Sequence, residues 1–165
     1  MSRVPALDQT IYDELRREAR LILTRHAPGH SVTPTVLVHD AYMRLADDSF
    51  ESEVHFRAAA ALAMRHVLVD RARRRGAVKR GRGWDRVTLT GEGITQPMNV
   101  DLLALSEALE SLAALDPEGA AIVQLRFFGD LTNEDIANTM GLSLRTVERS
   151  WRAARAWLFD RLEQI

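Results

Sequence analysis

The sequence contains no cysteine among its 165 residues, so the protein can form neither a disulfide bond nor a thiolate metal site. No uninterrupted apolar run approaches the roughly 20 residues that are needed to span a bilayer. The N-terminus also lacks the basic-then-apolar pattern of a signal peptide. With 46% hydrophobic residues the chain can still bury a packed core. We therefore expect a globular cytoplasmic protein that makes no membrane contact.

Motifs that indicate catalysis are absent as well. No glycine-rich phosphate loop follows a strand, and there is no nucleophile elbow. The histidines show no metal-ligand spacing with nearby carboxylates. They are His26, His30, His39, His55 and His66. We expect no enzymatic activity, no cofactor and no metal site.

The charge is balanced overall, at −1, but it is distributed unevenly. Residues 71–86, "RARRRGAVKRGRGWDR", contain eight basic residues and a single acid, Asp85. A local field of this strength attracts polyanions, and nucleic acid is the expected partner. The alternative is a solvated basic segment that opposes aggregation.

Apolar residues recur at three- and four-residue spacing along most of the chain, which predicts helices. The predicted helices of the first half cover about residues 7–23, 35–46 and 54–75. Those of the second half cover about 100–114 and 117–129, followed by two more to the C-terminus. The sequence therefore predicts an all-α protein.

Between about residues 76 and 99 this pattern fails, because five glycines and Pro97 fall there. The segment "VTLTGEGITQP" within it is typical of a short strand, but a lone strand has no partner, so we expect it to be extended. We predict two small helical domains, residues 1–80 and 100–165, joined by a flexible linker over residues 81–99.

Residues 131–151, "LTNEDIANTMGLSLRTVERSW", carry the strongest local signal. Gly141 suits a tight turn with positive φ between two capped helices. Ala137 and Val147 stand where a small and an apolar residue let two helices cross closely. The spacing predicts a helix-turn-helix, and a plain αα-hairpin is the alternative.

The second helix of this pair would present donors and acceptors suited to base edges and phosphates in a major groove. This follows if Val147, Trp151, Ala154 and Leu158 face inward. The predicted DNA-binding residues are then Arg145, Thr146, Glu148, Arg149 and Arg152. Each arginine has the alternative role of a solvated surface charge.

Taken together, these features resemble the extracytoplasmic-function (ECF) sigma factors of bacterial RNA polymerase. The resemblance spans nearly the whole chain and lies in "YDELRREAR", "PTVLVHDAYMRL", "HFRAAAALAMRHVLVDRARRRGAVKRG", "LRFFGDLTNEDIA" and "VERSWRAARAWL". It implies that residues of about 7–80 form sigma region two, which binds the polymerase clamp and melts the minus-ten element. Residues of about 100–165 resemble region four, which reads the minus-thirty-five element.

The resemblance also implies roles for single residues. Polymerase contacts are expected for Asp40, Tyr42 and Arg44. The cationic surface that melts promoter DNA is expected to comprise Arg65, Arg71, Arg73, Arg74 and Arg75. A loop that captures a flipped base corresponds to residues 47–53, which here are acidic with Phe50 as their one aromatic residue.

One departure from the family pattern lies in "TPTVLVHD". Most ECF sigma factors carry an acidic cluster there, whereas Thr33, Thr35 and Val36 occupy those positions here and Asp40 remains. Some sigma factors with this substitution depend on a serine/threonine kinase, so the resemblance implies activation by a phosphate at Thr35 or, as the second choice, Thr33. The alternative is that Thr33 is an N-cap and Thr35 an ordinary first-turn residue.

Three partners are thus expected, namely core RNA polymerase, promoter DNA and a kinase, with an anti-sigma factor as a further candidate. Two other functions remain open at this point. One is a stand-alone helix-turn-helix regulator that binds an operator, and the other is a non-specific nucleic-acid-binding protein that uses the basic segment. The glycine-rich linker allows the two domains either to pack together or to swing apart.

Overall fold

The computed structural model describes residues 2–3, 9–26, 32–50, 52–78, 86–89 and 98–164. In these ranges the chain forms seven helices and four short strands, which confirms the predicted all-α class. The helices are α1 Gln9–His26, α2 Pro34–Arg44, α3 Glu53–Val78, α4 Leu102–Leu115, α5 Pro117–Phe127, α6 Asn133–Met140 and α7 Leu144–Glu163. The strands are β1 Ser2–Arg3, β2 Ser49–Phe50, β3 Arg86–Leu89 and β4 Met98–Asp101.

Side-chain caps determine where several helices begin. The Thr33 hydroxyl accepts a hydrogen bond from the Val36 amide at the start of α2, and Pro34 occupies the first helical position. Asp101 accepts from the amides of Leu103 and Ala104 at the start of α4. These short-range signals are why helix boundaries could be predicted closely from the sequence.

The strands form two antiparallel pairs, β1 with β2 and β3 with β4. The second pair corrects our expectation that the strand-like segment after residue 86 has no partner. Val87 stands opposite Val100 and Leu89 opposite Met98, so the partner is the stretch that immediately precedes α4. Leu89 is fully buried, and β3 packs beside α1. Most of the predicted linker, namely residues 81–85 and 90–97, lies outside the described ranges.

We call helices α1–α3 the N-terminal lobe and helices α4–α7 the C-terminal lobe. The buried apolar side chains form one continuous cluster that includes residues of both lobes. Among the described helices, none has an apolar stretch long enough to cross a bilayer.

Helix α3 lies at the centre of this arrangement. Phe56, Ala60, Ala63 and Val67 recur along α3 at three- and four-residue spacing, and all four are buried, whereas Asp70, the next position in this spacing, is partly exposed. Side chains on its other sides are buried too, namely Ala58, Ala61, Met64, Arg65, Leu68, Val69 and Ala72. A helix becomes buried all round only when neighbours cover it on several sides. Helices α1 and α2 cover one side of α3, and α4, α5 and α6 also contact it.

Candidate functional site

Helix α2 presents a nearly neutral outer surface. Thr35 is exposed, and its hydroxyl has no hydrogen-bond partner among the described residues. Val36 and Met43 are exposed as well, at 39% and 62% of their surface. Leu37, Val38 and Ala41 point into the core and anchor the helix. The exposed surface of α2 therefore carries hydroxyl and apolar groups where a basic partner would require acids.

Two of the three predicted polymerase-binding residues are paired with α3. The Arg71 guanidinium donates to Asp40 at 2.7 Å, and Arg44 donates to Asp70 at 2.6 Å. The hydrogen bond from Arg44 lowers the pKa of Asp70 below its ordinary value. Tyr42, the third, is half-buried and packs against the core. The acid of α2 is therefore already neutralised within the protein.

The predicted promoter-melting arginines do not form one open surface. Arg74 is exposed and its Nε donates to the Asp70 carbonyl at 3.3 Å, while Arg75 is exposed at the next position. Arg71 is engaged by Asp40 as described above. Arg73 donates to Glu110 of α4 at 2.9 Å, across the two lobes.

Arg65 departs furthest from the expected surface, because only 5% of it is exposed. Its guanidinium lies over the Phe128 ring, 5.5 Å from the ring centroid. The expectation that Arg65 is part of an exposed cationic surface is therefore wrong for this arrangement of the lobes. The reason is that the end of α5 covers this side of α3, a contact that no local pattern in the sequence reveals.

The expected base-capturing loop places its aromatic residue inside the protein. Phe50 is 5% exposed and packs edge-on against Phe56, with ring centroids 5.3 Å apart. Asp47 and Asp48 are exposed on the loop. Phe50 therefore stabilises the lobe and offers no face for stacking on a base.

The helix pair α6–α7 has the local geometry that its sequence predicts. Thr132 caps α6 and exchanges hydrogen bonds with Asp135 in a capping box. Gly141 has φ +66° and ψ 32°, the left-handed conformation expected of it, and the Leu142 amide donates to the Ala137 carbonyl at 2.9 Å. Ser143 then caps α7 by accepting from the Thr146 amide.

Helix α7 separates an apolar from a polar face as predicted. Val147, Trp151, Ala154 and Leu158 are all buried. The predicted DNA-binding side chains are exposed, apart from Thr146, which is half-buried by its contact with the Ser143 cap. The exposed ones are Arg145, Glu148, Arg149 and Arg152. Arg152 donates from Nε to the Glu148 carbonyl at 3.2 Å, so part of its donor capacity is used within the helix.

Trp151 fixes the position of α7 on the lobe. Its ring meets Phe127 edge-on at 5.4 Å, and the guanidinium groups of Arg126 and Arg155 lie 5.5 Å and 5.8 Å from its centroid. Arg126 also donates to the Leu131 carbonyl in the turn before α6. Cation–π contacts of this kind stabilise an aromatic anchor. The arginines around Trp151 thus hold the exposed face of α7 in place.

Sequence reasoning missed two acids that engage basic residues of α2 and α3. Glu110 binds Arg73, and Asp70 binds Arg44. These partners are 37 and 26 residues apart in the chain, respectively, so spacing gives no sign of them. No cluster of three or more histidine or carboxylate side chains that could hold a metal occurs in the described ranges.

Comparison with known protein families accounts for this combination of surfaces. Residues 4–164, nearly the entire chain, match the family model described as ECF sigma factor. Comparison with the curated proteins and with the solved structures found no significant match. Factors of this family direct core RNA polymerase to promoters, and so bind both the polymerase and DNA. The chain therefore belongs to the ECF sigma factor family.

Proposed function

We propose that α2 is the polymerase-binding helix of this sigma factor, and that a serine/threonine kinase switches it on by phosphorylating Thr35. The unmodified protein then binds core RNA polymerase weakly. The phosphate supplies the negative charge that the α2 surface lacks, and the modified protein directs the polymerase to its promoters.

The observation that supports this proposal most strongly is the ion pair between Asp40 and Arg71. Asp40 is the single acid of α2, and its carboxylate accepts from Arg71 at 2.7 Å. Within the described chain, α2 therefore presents no unpaired negative charge to a partner. A phosphate carries about −1.5 to −2 charges and three strong acceptor oxygens, which suit the arginines of a basic partner.

Thr35 is a better site for this phosphate than Thr33. The Thr33 hydroxyl is occupied as the N-cap, since it accepts from the Val36 amide at 3.3 Å. The Thr35 hydroxyl is exposed without a partner in the described ranges, and it lies at the second position of the helix. An anion in the first turn is stabilised by the positive end of the helix dipole, by about 0.3–1 kcal/mol. Phosphorylation at Thr35 thus leaves the cap intact and adds charge where the helix favours it.

The DNA contacts complete the proposal. Arg145, Glu148, Arg149 and Arg152 on the exposed face of α7 read the minus-thirty-five element, with Thr146 beside them. Arg71, Arg73, Arg74 and Arg75 on α3 bind the melted minus-ten region. What supports these roles is the exposure of the α7 side chains and the basic character of the α3 end.

The experiment is a titration of core RNA polymerase with three forms of the protein, namely unmodified, phosphorylated at Thr35 by chemical synthesis or a kinase, and Thr35→Glu. One charge-assisted hydrogen bond contributes about 1.5–3 kcal/mol, which corresponds to roughly 10- to 150-fold in affinity. We expect the phosphorylated form to bind within this range above the unmodified form. Thr35→Glu should recover part of the gain, because it supplies only one charge.

The chain offers a matched control. Thr10 is the second residue of α1 as Thr35 is of α2, and both are exposed. Thr10→Glu therefore adds the same charge at the same helical position on a different surface and should leave polymerase affinity unchanged. Tight binding by the unmodified chain would show that the switch does not exist. An equal gain from Thr10→Glu and Thr35→Glu would show a general charge effect with no specific site.

A further inference from the structure

The contact between the two lobes buries a cation. Arg65 is the one charged residue with less than a tenth of its surface exposed in the described part of the chain. Its Nε and Nη1 atoms are buried without a hydrogen-bond partner among the described residues. Its guanidinium stacks on the ring of Phe128 in the C-terminal lobe.

Burying such a side chain costs free energy. A guanidinium that loses water without gaining acceptors is destabilised relative to one in solvent, and stacking on a ring offsets only part of the loss. Burial accordingly lowers the pKa of Arg65 from its ordinary value. The closed arrangement of the lobes is therefore stabilised by apolar burial and opposed by Arg65.

A second link between the lobes is an ion pair whose acid is held in place by a further hydrogen bond. Arg73 of α3 donates to Glu110 of α4 at 2.9 Å, and both side chains are at least half exposed. Ser106, which is almost fully buried on α4, donates to the same Glu110 oxygen at 3.2 Å. Glu110 is thus oriented toward α3 by its own helix. The exposed pair is open to competition from other anions.

From these two contacts we infer that the free protein closes its C-terminal lobe over α3, and that nucleic acid opens it by drawing Arg65 and Arg73 onto the phosphate backbone. Closing pairs Arg73, one of the four arginines that the proposed function assigns to the melted region, and buries Arg65 beside it; opening makes both available to DNA. The inference rests on the proposed function only for the use made of the opened surface.

The geometry of α3 favours a common ligand for both residues. Arg65 and Arg73 are eight residues apart, which places them about 80° apart around the helix and about 12 Å apart along its axis. A single nucleic-acid strand presents acceptors along that distance. Phosphate oxygens would pair Nε and Nη1 of Arg65, which lack acceptors in the closed form, and would compete with Glu110 for Arg73.

The opening is measurable by energy transfer between two dyes. The chain has no cysteine, so Leu21→Cys on α1 and Leu115→Cys on α4 provide unique labelling sites, and both residues are exposed. We expect high transfer efficiency in the free protein and a saturable decrease on addition of a 20-nucleotide oligothymidine. Low transfer efficiency already in the free protein would overturn the closed state. High transfer efficiency that persists after the oligonucleotide has bound would overturn its role in opening.

Charge reversal tests the link itself. Arg73→Glu places two acids face to face and should lower the transfer of the free protein, whereas Arg73→Glu with Glu110→Arg restores an opposite pair and should return it to the wild-type value. Both positions are exposed, so circular dichroism should report unchanged helix content. Equal transfer in the wild type and in Arg73→Glu would overturn the link.

Arg65→Met gives a second, independent readout. It keeps the side-chain length, removes the buried cation and should raise the oligonucleotide concentration needed for opening. Since each phosphate contact to a single strand contributes about 0.7 to the slope of log K against log salt, the Arg65→Met/Arg73→Met double variant should lose about 1.4 of that slope. An unchanged slope would overturn the assignment. No polymerase or phosphorylated protein is present, so a failure here is distinct from a failure of the Thr35 switch.

Discussion

Asp40 and Arg71 face each other across α2 and α3, with Arg71 Nη2 donating to Asp40 Oδ2 at 2.7 Å. The proposed function gives these residues different partners, the polymerase for Asp40 and DNA for Arg71. In the free protein the two side chains are paired with each other instead. Their side chains are 38% and 36% exposed, so water and an incoming partner can compete for both.

Breaking this ion pair should strengthen binding to the polymerase and weaken binding to DNA. Arg71→Gln removes the cation from Asp40, so we expect the unmodified protein to bind core polymerase more tightly, by a few-fold for an exposed pair of about 0.2–1 kcal/mol. Binding of an artificially melted promoter should weaken, because one phosphate contact is lost. The two affinities are measured by fluorescence titration. The double variant Arg71→Gln/Asp40→Asn should lose the gain in polymerase binding; if it keeps the gain, Asp40 is not the group that was released.

The turn between α6 and α7 depends on the backbone of Gly141. A side chain at φ +66° is strained even though a Cβ there would meet no atom within 4 Å. We expect Gly141→Ala to lower the free energy of unfolding by about 1–2 kcal/mol, the cost of the left-handed conformation for an L-residue. Urea unfolding measures this difference. Gly141→Asn is the matched control, since asparagine tolerates this conformation and should lose less; equal losses would point to a cause other than backbone strain.

The parts of the fold that local chemistry determines could be predicted from the sequence. Thr132, Gly141 and Ser143 delimit α6 and α7 through caps and a single positive φ, and each acts within a few residues of itself. What depends on packing between distant elements could not. The one-face spacing of α3 did not reveal that its other sides are covered as well, although a run such as "AAAALAM" is apolar all round.

The same reasoning explains which of the predicted site residues are exposed and which are buried. The exposed face of α7 follows from helical periodicity about Val147 and Trp151 and was predicted well. Arg65 has the same chemical character as its neighbours on α3, and only the position of Phe128 decides that it is buried. The partner of β3 was missed for another reason, since "MNVD" alternates apolar and polar residues over only four positions, which is too short to predict a strand.

The α7 surface yields a prediction about specificity. Arg149 is exposed, and among the described residues nothing holds its side chain, so it is available for bidentate contact with a base. If it reads the minus-thirty-five element, Arg149→Ala should lower discrimination between the native and a mutated element by about 1–3 kcal/mol. Competition assays with the polymerase complex measure this ratio. Arg161→Ala, which removes an exposed arginine three turns further along α7, should leave the ratio unchanged. Equal effects of the two variants would mean that only general electrostatic attraction is lost.

A largely buried carboxylate on α1, with 16% of its side chain exposed, makes stability depend on pH. Glu18 accepts from both Nε and Nη2 of Arg57 with one oxygen, and its other oxygen is buried without a partner in the described chain. Burial raises the pKa of Glu18 above its ordinary value of 4.5; the hydrogen bonds and charge of Arg57 offset this in part, and the charges of Glu14 and Asp130 add to it.

The sign of the effect follows from linkage. Below the ordinary value of 4.5 the carboxyl is protonated in both states and adds no penalty. As the pH rises through the raised pKa of the folded protein, the unfolded chain ionises first, so the contribution of Glu18 to the free energy of unfolding falls and then stays constant. Glu18→Gln removes this component. The free energy of unfolding of the variant minus that of the wild type should therefore be more positive at pH 7.5 than at pH 4.5. Urea unfolding at the two values measures the difference, and Glu107→Gln, an exposed site on α4, corrects for the change in net charge. If wild type and Glu18→Gln show the same pH dependence after that correction, the Arg57 contacts compensate fully for the burial of Glu18.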